Sequence, residues 1–264
     1  MELQLKDKKA LVTGSTAGIG LAIATALARE GAQVVLNGRT PARVEAALAQ
    51  VRKEVPGAKL SGVAADLGTA AGAAQLVAQV PQVDILVNNL GIFASKPFEE
   101  IPDADWLQFF ETNVMSGVRL CRAYLPGMRK RDWGRILFVS SESAVYIPVE
   151  MIHYGMTKTA QVALARGLAE TTVGTNVTVN TVLPGPTASE GVQGFVDGLA
   201  QQQGVSRAQV EQEFFQKMRP SSLLKRFIDP AEVAALVTFL ASPLSAATNG
   251  AALRVDGGLL RSAL

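Results

Sequence analysis

The chain has 264 residues, 48% of them hydrophobic and only 18% charged, against about 25% charged in an average soluble domain, which favours one large and well-buried domain. A formal net charge of +2 argues against a nucleic-acid or membrane surface, and a lone cysteine, Cys121, excludes an internal disulfide and is typical of a reducing cytoplasm. No apolar run reaches the ~18 residues of a membrane span, and the lysine-rich start lacks the apolar segment of a secretory signal, so we expect a cytoplasmic protein.

Strand-like apolar runs alternate with helix-like segments along the whole chain. The predicted strands are 10–13, 33–36, 60–64, 83–87, 135–139, 177–182 and 252–255. The predicted helices are 21–29, 42–55, 70–79, 103–128, 154–171 and 231–240, with two shorter helical patterns at 191–202 and 207–218. Such alternation indicates βαβ units. We therefore predict a single-domain α/β fold over 1–264, with a Rossmann-type, doubly wound parallel sheet of about seven strands and helices on both faces.

A glycine-rich turn follows the first predicted strand, in the segment Thr13-Gly14-Ser15-Thr16-Ala17-Gly18-Ile19-Gly20. Glycines between a strand and a helix let backbone N–H groups approach a pyrophosphate, and the helix N-terminus adds a favourable partial charge. The alternative is a tight turn that only allows close packing of the helix on the sheet. The βαβ context favours a dinucleotide cradle.

The end of the second strand bears on the choice of dinucleotide. An acidic residue there suits the ribose 2′-hydroxyl of NAD, whereas an arginine suits the 2′-phosphate of NADP. This chain reads Leu36-Asn37-Gly38-Arg39-Thr40, without a carboxylate. Arg39 is therefore predicted to bind the phosphate of NADP(H) through its planar fork, the alternative being a solvated surface arginine.

Polar residues also follow the third and fourth strands. Asp66, with Leu67 after it, is a candidate for the adenine amino group or, equally, for the N-cap of the next helix. Asn88-Asn89-Leu90-Gly91 ends the fourth strand, where cofactors of open α/β sheets lie. Gly91 would permit close approach, and the asparagines would contact the cofactor or only make turn hydrogen bonds.

Tyr154 and Lys158 lie four residues apart and so share one face of a predicted helix. A free tyrosine has a pKa of about 10, too high for efficient acid/base chemistry at neutral pH, and a neighbouring ammonium would lower it. Ser141, at the end of the fifth strand, is placed to donate a hydrogen bond to a substrate oxygen. The bland alternative is that Tyr154 is an ordinary buried or interface aromatic residue.

Across nearly its whole length the chain resembles the short-chain dehydrogenase/reductase family. The glycine pattern, Asn88-Asn89-Leu90-Gly91, Ser141, the Tyr154/Lys158 pair and Pro184-Gly185 occur in that family's order and at its spacings. The resemblance implies a tetrad of Asn113, Ser141, Tyr154 and Lys158. In it, Asn113 would kink the fourth helix and hold a water that links Lys158 to solvent.

The chain departs from the family's usual pattern at two places. Leu90 replaces a customary alanine and would crowd or reshape the pocket beside the cofactor, and Thr187 and Ser189 stand where many members have an aliphatic residue and a threonine. Neither departure removes a catalytic group. The cofactor contacts that this interpretation predicts are Gly14, Ser15, Thr16, Gly18, Ile19, Gly20, Arg39, Asp66, Leu67, Asn89, Gly91, Tyr154, Lys158, Pro184, Gly185, Thr187 and Ser189.

Substrate contacts are expected from the irregular segment 186–227, as a lid or insertion. Val210, Phe214 and Met218 recur every four residues there, with Phe215 beside them. This stripe would close an apolar pocket or pack on the body of the domain. Further pocket candidates, placed by the resemblance, are Phe93, Ser143 and Tyr146.

Several other features are expected to have no catalytic role. His153, the only histidine, should face away from Tyr154, and no cluster has zinc-ligand spacing, so no metal is predicted. Arg129-Lys130-Arg131 should complement the C-terminal end of a long helix.

The small and apolar helix from Tyr154 is a candidate subunit interface, and family members commonly form dimers or tetramers, so we expect a homotetramer or homodimer.

The leading functional prediction is an NADP(H)-dependent oxidoreductase that reduces a ketone or other carbonyl, with a 3-oxoacyl thioester as one candidate. The alternatives are an NAD-dependent alcohol or sugar dehydrogenase that uses the same site in reverse, and a non-catalytic dinucleotide sensor. Retention of all four tetrad residues argues against the sensor, and the missing carboxylate after the second strand argues against NAD.

Overall fold

The computed structural model of the protein describes residues 2–263, apart from the side chain of Phe195. Seven parallel strands form one sheet in the order β3-β2-β1-β4-β5-β6-β7. The strands are β1 (Lys9–Val12), β2 (Gln33–Gly38), β3 (Leu60–Ala64), β4 (Ile85–Asn88), β5 (Gly134–Val139), β6 (Val177–Pro184) and β7 (Ala252–Val255). The prediction of a doubly wound parallel sheet of about seven strands is confirmed.

Helices follow most strands and cover both faces of the sheet. They are α1 (Gly18–Arg29), α2 (Pro41–Glu54), α3 (Ala70–Gln79), α4 (Asp103–Phe110), α5 (Ser116–Lys130), α6 (Ile152–Glu170), α7 (Glu190–Gln203), α8 (Arg207–Glu213) and α9 (Pro230–Leu240). In residues 2–263 no helix is long and apolar enough to cross a bilayer.

Successive strand residues alternate between two cores, as a pleated strand requires. Ala10 and Val12 join the core beneath α1, α2 and α9, whereas Leu11 between them joins the core beneath α3, α5 and α6. All three side chains are fully buried. The continuous apolar strands of the sequence are explained by helices packing on both faces.

Local capping residues begin several of the helices. The Thr40 side chain accepts a hydrogen bond from the Arg43 N–H as the N-cap of α2, with Pro41 at the first helical position. Asp229 and Glu232 form a reciprocal capping box at the start of α9.

The long helical region predicted over 103–128 is interrupted at its centre, where the family resemblance implied a kink at Asn113. Helix α4 passes into one turn of π-helix, Glu111–Met115, before α5 begins at Ser116. A π-turn inserts an extra residue and so frees a backbone carbonyl from the helical ladder. This turn contains Asn113, and it lies against α6.

The strand order places a topological switch point between β1 and β4. From β1 the chain winds outward through β2 and β3, then returns to β4 and winds the other way. Ligands of open α/β sheets bind at the carboxyl ends of the strands at such a point. The glycine turn after β1, Asn89 after β4, Ser141 after β5 and Pro184 at the end of β6 all lie at this edge.

Candidate active site

A cavity of about 570 Å³ opens at the carboxyl ends of the strands. It brings together many of the residues that the sequence singled out. Its walls include Ile19, Asn89, Gly91, Phe93, Ser141, Ser143, Tyr154, Lys158, Pro184, Gly185, Thr187 and Ser189.

Tyr154 and Ser141 form the polar centre of this cavity. Burial raises the pKa of Tyr154 above its ordinary value, the Glu142 carboxylate raises it further, and the Ser141 hydroxyl partly opposes both. Ser141 accepts a hydrogen bond from the Ser143 N–H at 3.1 Å and donates its own proton to Glu142 Oε2. Tyr154 is therefore a neutral phenol at pH 7.

Lys158 lies beneath Tyr154, with Nζ 5.5 Å from the centre of the phenol ring. Its Nζ donates to the Val139 carbonyl at 3.0 Å and to Gln161 Oε1 at 3.2 Å. Burial lowers the pKa of Lys158 to about 8, an effect that the Glu142 carboxylate opposes. Burial has the largest effect on the pKa of both groups, and it acts on Tyr154 in the direction opposite to the lowering expected from Lys158.

Asn113 lies behind Lys158 and outside the cavity wall. Its side chain clamps the backbone of Ile92, accepting from the N–H at 2.8 Å and donating to the carbonyl at 3.0 Å, and it also donates to Thr157 Oγ1. The Asn113 carbonyl, in the π-turn, accepts from Gln161 Nε2. Within the described residues, the connection from Asn113 to Lys158 therefore runs through Gln161, which the sequence analysis missed.

The start of α1 has the features of a pyrophosphate cradle. Ala17 precedes the helix without a side-chain cap, and the first backbone bond there runs from Leu21 N–H to Ala17 O. The N–H groups of the first turn thus have no intrahelical partner. A Cβ on Gly20 would lie 2.5 Å from both Asn89 Nδ2 and the Gly14 carbonyl, so only glycine fits. These residues fit a dinucleotide phosphate.

Ser15 serves this turn rather than a ligand. Its hydroxyl donates to the Val12 carbonyl at 2.7 Å and accepts from the Asn37 N–H at 3.0 Å, and it lines neither cavity described here. The predicted cofactor contact through Ser15 therefore gains no support from the geometry. Asn89 holds the turn from the other side by donating to the carbonyls of Thr13 and Gly14.

A second, smaller cavity of about 150 Å³ lies at the ends of β2 and β3. It is lined by Gly14, Thr16, Asn37, Gly38, Arg39, Arg43, Ala65, Asp66, Leu67 and Leu90. Arg43, in the first turn of α2, is a second cation at this cavity that the sequence analysis missed. Its signal was the spacing from Arg39, four residues away on a predicted helix start.

The structure shows how Asp66 and Leu90 are used at this cavity. Thr69, and not Asp66, caps α3, because its side chain accepts from the Gly72 N–H at 3.0 Å. Asp66 instead accepts from the Gly68 N–H within a turn. Leu90 lines the second cavity and packs on the core beneath α3, α5 and α6, so the expected crowding falls on the side of Gly14 and Arg39.

The segment 186–227 covers the large cavity. Within it, Val210 packs into a small apolar cluster formed with Val196 and Ala200, whereas Phe214 and Met218 line the cavity. Phe215 is buried against Phe214 and Phe227. The apolar stripe thus packs on its neighbours at Val210 and lines the cavity at its other end.

Three charged residues of the cavity wall were also missed. Glu142, Glu150 and Arg219 meet beside Ser141, with Arg219 Nε 3.6 Å from Glu142 Oε1 and Arg219 Nη1 3.4 Å from Glu150 Oε1. Burial raises the pKa of Glu142, while Ser141 and Arg219 oppose that rise. The only available signal was the position of Glu142 directly after Ser141.

The prediction of Tyr146 as a pocket residue is wrong. The short 3₁₀ turn Glu142–Ala144 directs the following residues outward, and Tyr146 is 58% exposed and does not line the cavity. His153 faces away from the cavity, as expected, and packs between Phe109 and Trp106. Arg131, near the C-terminal end of α5, donates to the Val83 carbonyl.

In the part of the chain that the structure describes, no group of three or more His, Cys, Asp or Glu side chains could hold a metal ion. The lone Cys121 is buried in the core, where burial raises the pKa of its thiol to about 12. It lies outside both cavities.

Comparisons with known proteins agree with this geometry. Residues 8–200 match the family model described as short chain dehydrogenase. An uncharacterized oxidoreductase of Bacillus subtilis, YvaG, is 50% identical over 99% of both chains. A D-beta-hydroxybutyrate dehydrogenase of Cupriavidus necator is 35% identical over 96% of this chain and 98% of that protein. The crystal structure of L-sorbose reductase from Gluconobacter frateurii, complexed with NADPH and L-sorbose, superposes with a TM-score of 0.94 at 33% identity over 99% of this chain and 100% of that one. The chain therefore belongs to the short-chain dehydrogenase/reductase family of oxidoreductases.

Proposed function

We propose that this oxidoreductase uses NADP(H) to reduce a ketone or other carbonyl to an alcohol, with Tyr154 as the acid. The observation that carries the proposal is the meeting of Ser141, Tyr154 and Lys158 on one wall of a cavity that reaches the glycine turn. The reductases among its relatives support this direction, including 3-oxoacyl-[acyl-carrier-protein] reductase of Aquifex aeolicus, 32% identical over 98% of this chain.

A bound nicotinamide supplies the hydride in this chemistry. Tyr154 supplies the proton to the carbonyl oxygen from the neutral form that it holds near pH 7. Ser141 holds the same oxygen once its hydroxyl turns from Glu142 to the substrate. Lys158 is positioned by Val139 and Gln161 beside Gly91, where a ribose would approach.

NADP(H) is favoured over NAD(H) because two arginines, Arg39 and Arg43, border the small cavity where the adenosine ribose would lie. The strand that precedes them ends without a carboxylate to accept from a 2′-hydroxyl. Arg43 also contacts Glu190 at 3.3 Å in an exposed ion pair. Because exposed ion pairs contribute little to stability, a phosphate would replace Glu190 as the partner of Arg43 at little cost. The NADPH named in the L-sorbose reductase complex supports the same choice.

Fluorescence titration of NADPH and NADH tests the cofactor. The wild type should bind NADPH more tightly, and Arg39→Ala should lose about tenfold or more for NADPH and little for NADH, because hydrogen bonds to charged groups contribute roughly 1.5–3 kcal/mol. Arg29→Ala is the matched control, because Arg29 is an exposed arginine at the C-terminal end of α1, paired with Glu54. Equal or tighter binding of NADH would reject the NADP(H) assignment and favour an NAD-dependent dehydrogenase.

For the assembly we keep the expectation of a homotetramer or homodimer. The long helix α6 presents Met156, which is 37% exposed, and an open surface at Gly167 on the outside of the chain. Light scattering coupled to size exclusion measures the assembly, and a monomer at micromolar concentration would reject this expectation.

A further inference from the structure

The large cavity contains a buried ion cluster beside the reactive hydroxyls. Arg219, at the end of the segment 186–227, approaches Glu142 at 3.6 Å and Glu150 at 3.4 Å. The side chains of Arg219 and Glu142 are only 7% and 5% exposed, and that of Glu150 is 28% exposed. Burying charged side chains this deeply is costly unless hydrogen bonds and opposite charges compensate for the lost water, so each polar atom of the cluster needs a hydrogen-bond partner.

Arg219 is not fully satisfied by the protein. Its Nη1 donates to Glu150 Oε1 and to the Met218 carbonyl at 2.9 Å. Its Nε is buried without a hydrogen-bond partner, since Glu142 at 3.6 Å lies beyond bonding distance. The Nε atom has no accessible surface, so a ligand does not reach it directly. Nη2 of the same side chain, which lines the substrate cavity, makes no hydrogen bond within the described residues and is not shut off from solvent. An incoming substrate atom is the natural acceptor.

The chemistry of the cluster discriminates between kinds of substrate atom. A carboxylate would accept from Arg219 but would also face Glu142 and Glu150, so like charges would oppose it. An alkyl or acyl chain would remove the cluster further from water and leave the Arg219 donor unsatisfied. A hydroxyl group both accepts and donates, and so can take the Arg219 proton and give its own to a carboxylate oxygen.

The cluster also has a defined position relative to the reacting carbonyl. Glu142 follows Ser141 in the chain and accepts the proton of the Ser141 hydroxyl. A carbonyl oxygen bound by Ser141 and Tyr154 thus places the neighbouring carbons near Glu142 and Arg219. Phe93, which packs edge-on to Tyr154, and Phe214, which lies under Arg219, supply apolar walls for the carbon skeleton.

Resting on the proposed function, we propose that Arg219, Glu142 and Glu150 select neutral hydroxyketones, by hydrogen-bonding a hydroxyl on a carbon close to the reacting carbonyl. Ketones without that hydroxyl and keto acids are the disfavoured classes. Arg219 and Glu150 are thereby specificity-determining residues.

Steady-state NADPH oxidation with three small ketones tests the selection. Hydroxyacetone, butanone and pyruvate present a hydroxyl, a methyl group and a carboxylate at nearly the same place beside a methyl ketone. We expect kcat/KM for hydroxyacetone to exceed both others by at least about tenfold, since a site built to bond a hydroxyl rejects analogues that lack it. Equal kcat/KM for hydroxyacetone and butanone, or faster reduction of pyruvate, overturns the proposal.

Glu150→Gln separates selection from a merely structural role. Removing one negative charge should lower kcat/KM for hydroxyacetone and raise it for pyruvate, while butanone changes by less than about threefold. Glu213→Gln is the matched control, because Glu213 is an acidic residue of the same covering segment, paired with Lys217 outside the cavity. A uniform loss with all three ketones in Glu150→Gln, as misfolding would give, overturns the proposal.

Binding to Tyr154→Phe in complex with NADPH tests the selection without turnover. Quenching or enhancement of the NADPH fluorescence reports the affinity of each ketone for the intact site. Preferential binding of hydroxyacetone without reduction of any carbonyl by the wild type would reject the proposed reductase function and uphold the selection. Carbonyl reduction by the wild type with no such binding preference would uphold the proposed reductase function and reject the selection of hydroxyketones.

Discussion

The substitution Lys158→Met should show how much the buried Lys158 ammonium lowers the free energy of unfolding. The Lys158 side chain is buried, and burial lowers its pKa from 10.5 to about 8. Each unit of pKa shift corresponds to about 1.4 kcal/mol, so a shift of this size makes the buried ammonium cost about 3 kcal/mol near neutral pH. Methionine removes that cost but leaves the Val139 carbonyl and Gln161 Oε1 without a donor, at about 1–3 kcal/mol each. At pH 7 the variant should therefore unfold with nearly the free energy of the wild type or slightly below it.

The pH dependence is the sharper part of this prediction. A lysine with a lowered pKa in the folded protein loses its proton there first, so between about pH 8 and 10.5 the unfolded chain binds more protons. The free energy of unfolding therefore rises with pH across that window, and the contribution is flat below it. Relative to Lys158→Met, the wild type should gain about 1.4 kcal/mol per pH unit, approaching about 3 kcal/mol by pH 10.5.

Urea unfolding of the nucleotide-free proteins, followed by circular dichroism from pH 7 to 10, measures the difference. Working with the difference between two proteins cancels groups that titrate alike in both. Lys130→Met, which removes an exposed ammonium from the last turn of α5, should give no such slope. A flat difference between wild type and Lys158→Met would show that the ammonium is not desolvated, and the argument for its lowered pKa would fail.

Three further changes probe other parts of the site. Gly20→Ala should destabilise the fold by about 1–3 kcal/mol and abolish NADPH binding, because its Cβ would lie 2.5 Å from a backbone carbonyl of the glycine turn. Gly167→Ala is the control: this position lies in open space on α6, so the free energy of unfolding in urea should be unchanged or slightly higher. Gln161→Leu should move the alkaline limb of the kcat profile for reduction to lower pH, because the Lys158 ammonium loses an acceptor; an unshifted limb would exclude this coupling. Phe93→Ala should raise KM by about tenfold, and Tyr146→Ala should leave it unchanged; equal effects in the same assay would contradict the cavity assignment.

The fold was predictable because its signals are local. Apolar runs that alternate with helical spacing, and glycines after β1, fix a parallel sheet before any long-range contact is considered. The break in the helix over 103–128 has no such local signal, and only the family resemblance implied a kink there, at Asn113. The π-turn around Asn113 is favoured by tertiary partners, the Ile92 backbone and Gln161, and not by the propensities of its own residues.

The same distinction holds for the site. Ser141, Tyr154 and Lys158 were found because strand ends and helical spacing place them together, whatever the rest of the chain does. Arg219 contacts Glu142 from a distance of 77 residues in sequence, within a segment whose path no periodicity defines. Tyr146 was misplaced for a related reason, since one short 3₁₀ turn decides whether it faces the cavity or the solvent.

The electrostatics of the cavity favour one protonation state over the others. Burial raises the pKa values of Tyr154 and Glu142 and lowers that of Lys158, so every group moves toward its neutral form. A neutral Tyr154 is the form that donates a proton to a carbonyl, whereas alcohol oxidation needs the tyrosinate. The Glu142 carboxylate accepts the Ser141 proton in this structure, and Ser141 would turn that proton toward a substrate oxygen when one binds. Desolvation therefore destabilises the folded protein while it keeps Tyr154 in the neutral form that hydrogen-bonds a carbonyl oxygen near neutral pH.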